Sequence, residues 1–145
     1  LMFASRAQHV REVVLPALQR GAWVISDRFT DSSYAYQGAG RGLDEAFIAT
    51  LEQQVVGMEP GLTLLLDLGV AHGRERTRGR DLLGGSVPDR IERERDSFFE
   101  RVRDGFLARA AQHPGRFRVI DASPDAASVA AAALAALADY REALR

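Results

Sequence analysis

Apolar residues recur at helical intervals over positions 1–20 (Phe3, Val10, Val13, Val14, Leu18), and Gly21 is a natural terminator, so the first element reads as a helix. Three short runs have a different form: AWVIS at 22–26, LTLLLDL at 62–68 and FRVID at 117–121 are apolar on both faces and meet an acid at their ends. That is the pattern of buried parallel strands. Between them lie further helical stretches. Asp44 caps one that runs to Gly57, Asp89 begins another whose stripe is Ile91, Phe98, Phe99, Val102 and Phe106, and Ser123-Pro124 opens the last, with Val129, Leu134 and Leu137. The alanine-rich run 130–138 reads as helix, because alanine has the highest helix propensity. Strands separated by helices imply crossovers, hence an α/β fold in which a parallel sheet is flanked by helices on both faces.

Composition narrows the class. With 145 residues and 46% hydrophobic content, one core and one domain, or a piece of one, are expected. The absence of cysteine excludes a disulfide scaffold and a thiolate metal site, and His9, His72 and His113 lack ligand spacing, so no metal site built from the chain's own ligands is expected. The formal charge of -1 gives no bulk attraction to nucleic acid or to anionic lipid, and no apolar run approaches spanning length; no nucleic-acid partner, no membrane and a cytoplasmic location are expected. All 19 basic residues are arginines, so chemistry that needs a lysine has no lysine in this sequence. The chain starts at Leu1 inside a helical pattern and reads as a fragment.

Candidate chemistry gathers at the first strand end. In open α/β sheets ligands sit at the carboxyl ends of strands, which places Asp27 and Arg28 at the ligand edge. A guanidinium can fork onto a phosphate, and Asp27 can orient it, orient an attacking oxygen or hold a metal-bound water. A strand-end salt bridge is the plain alternative. Behind them Ser33 and Gln37 stand four apart, a hydroxyl and an amide able to read the edge of a pyrimidine, with Tyr36 on a neighbouring flank. A second constellation, GRERTRGR at 73–80, leads through a glycine-rich turn into DRIERER. Its arginines are nearly balanced by acids, so most belong to a solvated face with i,i+4 pairs. Arg76, Arg78 and Arg80 nevertheless precede Gly84-Gly85, as in a lid that carries guanidinium groups over a polyphosphate.

The stretch DRFTDSSYAYQGAGRG closely resembles the central signature of bacterial thymidylate kinases, and LMFASRAQHV, LTLLLDL, DRIERE and VIDASP match further family segments in the same order. The resemblance implies a three-layer P-loop kinase fold and transfer of the γ-phosphoryl group of ATP, with Mg2+, to thymidine monophosphate. By position, Phe3 resembles the residue stacking on thymine, with Met2 able to share that place, and Arg6 the one reaching a thymine carbonyl. Arg28 resembles the clamp on the acceptor phosphate, and Asp27 its partner near magnesium. Ser33 and Gln37 resemble readers of the base edge, Tyr36 the residue beneath the deoxyribose, and Asp89 and Glu92 acids near the sugar 3′-hydroxyl. Arg80, or else Arg76 or Arg78, resembles the lid arginine. The family's phosphate-cradling loop, G-x-x-x-x-G-K-[ST], has no counterpart here. The chain is therefore expected to be the carboxyl-terminal part of one kinase domain, residues 1–145 with a lid at about 74–90, lacking the central P-loop strand between the strand ending at Asp27 and that containing Asp67. Alone it is expected to be inactive. The resemblance also implies a homodimer, through helices 1–20 and 44–57. The alternative is a non-catalytic nucleotide-binding or partner-binding module without a P-loop.

Overall fold

A computed structural model describes residues 1–78 and 90–145, with the backbone alone for residues 77, 78 and 90–95. Helix α1 comprises Met2–His9, a π-helical turn over Val10–Val14, and Leu15–Gln19. The wide turn has a cause in Pro16, which has no N–H to donate and whose ring crowds the carbonyl four residues back. The ladder widens just before it, with Leu15 N–H donating to Val10 O. Val10 and Val14 are buried beneath this turn. Helix α2 begins with Asp31–Ser33 and continues as a π turn over Tyr34–Ala39.

Helix α3 spans Glu45–Leu51 and a further π turn, Glu52–Val56. Both of its ends fall where the sequence put them. Asp44 Oδ1 accepts from Ala46 N–H at 3.0 Å, and Gly57, at a φ of 68°, donates to Glu52 O at 2.8 Å.

Strands β1 (Thr63–Asp67) and β2 (Phe117–Asp121) pair in parallel, with Thr63 opposite Phe117 and Asp67 opposite Asp121. Helices α4 (Val70–Arg78) and α5 (Arg90–Gln112) form the crossover between them, and α6 (Ala126–Ala143) follows β2. The cap of α6 is Asp125 rather than the Ser123-Pro124 pair: its Oδ1 accepts from Ala127 and Ser128 N–H at 2.9 and 3.0 Å. The helix expected to begin at Asp89 is described from Arg90, and Asp89 lies outside the described residues.

The third expected strand is a correction. Residues 22–26 are not a strand: they run as irregular chain, and β1 and β2 are the two strands among the described residues. A strand exists only where a neighbour accepts its ladder, and β1 pairs on one side, with β2. The strands are also less buried than their composition suggests, with Leu64, Leu66 and Val119 exposed.

The core lies mainly among the helices. Val10, Ile48, Val56, Ala35 and Val102 are buried there, and Phe117 and Ile120 join it from β2. Helices α2 and α5 meet across small residues. A Cβ on Gly40 would stand 2.7 Å from Phe98 Cε2 and 2.7 Å from Tyr36 O, and one on Gly105 would stand 2.7 Å from Ala39 Cβ. This contact sets how closely the helix carrying Ser33, Tyr36 and Gln37 approaches the rest of the molecule.

Candidate functional site

The run 22–26 delivers Asp27 and Arg28 to the surface ahead of α2, and both are exposed. Arg28 has a φ of 63°, a conformation that L residues other than glycine seldom adopt. Ser26 Oγ donates to Arg28 O at 2.9 Å across the turn, and the Arg28 guanidinium stands 5.1 Å from the centre of the Tyr36 ring. Tyr36 is itself wedged against Phe98 and Phe106 of α5, at centroid distances of 6.2 and 6.1 Å. An exposed cation resting on a ring held by two others is pre-aimed, yet free to take an anion.

Ser33, on the same helix, is fully buried, and its hydroxyl accepts from Arg6 Nη1 at 2.7 Å. The Arg6 guanidinium also stands 5.3 Å from the Phe3 ring, and Met2 beside it is exposed. Burial lowers the affinity of Arg6 for its proton, opposed by the negative charge of Glu52. Two groupings therefore form, Phe3–Arg6–Ser33 and Arg28–Tyr36, joined by α2. Gln37 is half-buried on that helix. The π turn over Tyr34–Ala39 was not anticipated.

Of the expected lid arginines, Arg76 donates to the carbonyls of Ser123 and Pro124 at 3.0 and 2.9 Å, tying α4 to the loop after β2. Beside it lies an open hollow of about 470 Å³ lined by Leu66, Ala122, Pro124 and Val129. Arg80 and Asp89 lie outside the described residues, as do the side chains of Arg78 and Glu92. Two other arginines were expected to be solvated charges with helical partners and instead bridge elements: Arg74 pairs with Asp96, and Arg103 forks onto Asp67 at the end of β1, with both bonds at 2.7 Å. Those hydrogen bonds hold the Asp67 carboxyl below the usual carboxylate range.

Beneath the site is a buried ionic cluster that sequence reasoning missed. Asp31 accepts from Arg109 Nε at 3.1 Å and from Arg116 Nη1 and Nη2 at 2.8 and 2.7 Å. Arg116 Nη1 also reaches Thr63 Oγ1 at 2.9 Å. Glu52 accepts from the Tyr34 hydroxyl at 2.7 Å and lies 3.6 Å from Arg109, whose guanidinium stacks 3.8 Å over the Tyr34 ring. Burial pushes the Asp31 carboxyl up, but the two arginines outweigh it and leave it below its ordinary value. Burial, together with the hydrogen bond to Glu52, pushes the Tyr34 hydroxyl up. One signal for the cluster was available: Arg109 continues the Phe98, Val102, Phe106 stripe, a cation on a core-facing row.

The overall arrangement matches a solved protein. The crystal structure of thymidylate kinase from Ehrlichia chaffeensis aligns with a TM-score of 0.70 at 28% identity, over 93% of this chain and 62% of that one. The fold is thus the α/β fold of the P-loop kinases. A family model for thymidylate kinase matches residues 1–132. The thymidylate kinase of Chromohalobacter salexigens is 54% identical over 140 residues, 96% of this chain and 64% of that protein; that of Methylococcus capsulatus is 55% identical over 123 residues, 84% and 57% respectively. The chain belongs to the thymidylate kinase family. It spans about three-fifths of the length of these relatives.

Proposed function

We propose that the chain supplies the acceptor side of a thymidylate kinase, which transfers the γ-phosphoryl group of ATP to thymidine monophosphate, and that it is the carboxyl-terminal part of that single domain. The observation that carries this reading is Arg28, poised over Tyr36 on the helix that also brings Ser33 to Arg6 and Phe3, in a chain of this family. Arg28 would hold the acceptor phosphate, with Arg6, Ser33 and Gln37 reading the base, Phe3 with Met2 beneath it, and Tyr36 under the sugar. Asp89 and Glu92 are proposed near the sugar 3′-hydroxyl.

ATP is the co-substrate, with Mg2+. The exposed Asp27 carboxylate fits a hydrated cation, whereas Asp67 is already held by Arg103. The phosphate-cradling loop does not occur in this sequence, so the ATP phosphates would be held by a segment outside it. Arg80, or Arg78 or Arg76, is proposed to close onto the transferring group; the bonds of Arg76 to Ser123 and Pro124 favour the others. The exposed apolar residues Val13 and Leu18 of α1 and Phe47 of α3 suit a homodimer face. No helix among the described residues is long and apolar enough to cross a membrane, and a cytoplasmic location is proposed.

The test uses the complete enzyme. Arg28→Ala should weaken thymidylate binding by one to two decades, on the order of a lost charge-assisted fork. Arg80→Ala should lower the single-turnover rate by roughly 10³-fold while leaving thymidylate affinity near the parent value. Equilibrium binding and single-turnover transfer separate the two. Reversed effects would exchange the assignments, and no effect from either would return both arginines to the solvated surface.

A further inference from the structure

The Asp31 cluster is larger than a helix start requires. Asp31 is the first residue of α2, where an acid commonly serves the helix end, yet its carboxylate is turned inward and takes three hydrogen bonds from arginines of two other segments. Arg109 comes from the end of α5, and Arg116 from the turn before β2. Arg116 is fastened to the sheet twice, its carbonyl accepting from Thr63 N–H at 2.7 Å and its side chain donating to Thr63 Oγ1. The chain from Arg28 to Ser33 is thereby referred to β1 by a side-chain bridge, independently of its own backbone. Replacing a buried ion cluster by an apolar core of the same shape is often neutral or stabilising, so net stability does not account for this one; what it does here is join the start of α2 to α5 and to β1.

That join bears on the acceptor pocket. Asp31 lies three residues after Arg28 and two before Ser33. The α-helical part of α2 is only Asp31–Ser33, too short to hold an angle by propensity, and it passes at once into the π turn bearing Tyr36 and Gln37. On the other side Glu52, bonded to Tyr34 and close to Arg109, places a negative charge near Arg6, the partner of Ser33. We propose that Asp31, gripped by Arg109 and Arg116, is a positioning residue for the acceptor monophosphate: it sets the direction of Arg28 and Ser33 without touching the ligand. This inference rests on the functional reading above.

The experiment uses the complete enzyme with thymidylate and ATP. Asp31→Asn keeps the shape and removes the charge, and Arg116→Lys keeps a charge and removes the fork. Asp31→Asn should raise the KM for thymidylate on the order of tenfold, leaving the KM for ATP within about twofold. Arg116→Lys should shift the same parameter less. In a double-mutant cycle on thymidylate affinity, Ser33→Ala combined with Asp31→Asn should cost less than the two effects multiplied together, since a misdirected Ser33 has already lost its role. A lowered melting temperature with an unchanged thymidylate KM, or full additivity in the cycle, would overturn the proposal. If Asp31→Asn does not fold, Arg116→Lys decides: an unchanged thymidylate KM overturns, and a raised one with an unchanged ATP KM supports. A parent enzyme that neither binds nor phosphorylates thymidylate would sink the functional reading, and the positioning role with it; an active parent with unaffected variants would sink the positioning role alone.

Discussion

At the scale of single residues, Arg28 shows a functional side chain kept where backbone chemistry opposes it. Its φ of 63° places an L residue in the left-handed region, at a cost of about 1–2 kcal/mol. Glycine accepts that region freely but loses more chain entropy on folding, by about 0.5–1 kcal/mol. In the complete enzyme Arg28→Gly should therefore be about 0.5–1 kcal/mol more stable than Arg28→Ala, while both lose thymidylate affinity alike. Denaturant melts alongside equilibrium binding check this; an alanine variant as stable as the glycine variant would show that the turn carries no strain. Arg28, Ser33, Tyr36 and Gln37 were legible as candidates because they share one short stretch in which spacing alone brings them near each other. Asp31 lies in that same stretch, but nothing near it in sequence marks its role. Its partners Arg109 and Arg116 are 78 and 85 residues away, and no local pattern pairs residues so far apart.

At the scale of elements, legibility followed the range of the forces involved. Asp44 and Gly57 were readable as the ends of α3 because caps are made by side chain and backbone within a few residues. The π turns were not, since over a single turn the apolar spacing of a wide helix hardly differs from that of an α-helix, and Pro16 was the one local hint. Nor was the close seating of α2 on α5, which depends on Gly40 and Gly105 lying opposite side chains remote in sequence. The seating predicts an asymmetry among glycines. Gly40→Ala would drive a methyl against Phe98 and against the carbonyl of Tyr36, and backbone cannot step aside as a flexible side chain can. It should destabilise the protein by about 1–3 kcal/mol and weaken thymidylate binding as α2 is pushed away. Gly69, with nothing within 4 Å of an added Cβ and no positive φ, is the control, and Gly69→Ala should be near neutral in the same chemical melts. Equal stability for the two variants would refute the close-packing account.

At the scale of the whole molecule, the chain presents strand-like sequence with too few strands to use it. Residues 22–26 carry apolar side chains on both sides, yet Ile25 is 94% exposed and Trp23 59% exposed, the latter set edge to face with Tyr140 of α6. Leu64 and Leu66 of β1 are exposed as well. Runs that are apolar on both faces become favourable only when both faces and both edges are covered, at roughly 25 cal/mol per Å² of apolar surface removed from water. The relatives are longer by a margin that can supply such cover, since the chain spans 64% of one and 57% of another. The proposal that a further strand lies between 22–26 and β1 in the complete enzyme can be read from Trp23, the one tryptophan in this sequence. In a complete enzyme whose sole tryptophan is Trp23, its emission should lie to the blue of that of the 145-residue chain, amides of 22–26 should gain protection from exchange, and phosphoryl transfer to thymidylate should be present where the shorter chain has none. The first two changes follow from one event, the pairing of 22–26, which buries the ring, closes the ladder and sets Asp27 and Arg28 at the end of a true strand; the third also needs the phosphate-cradling loop, which this sequence does not contain. Identical emission and exchange in the two proteins would mean that 22–26 stays unpaired even in the complete enzyme, and Arg28 would then owe its position to the turn and the Asp31 cluster alone.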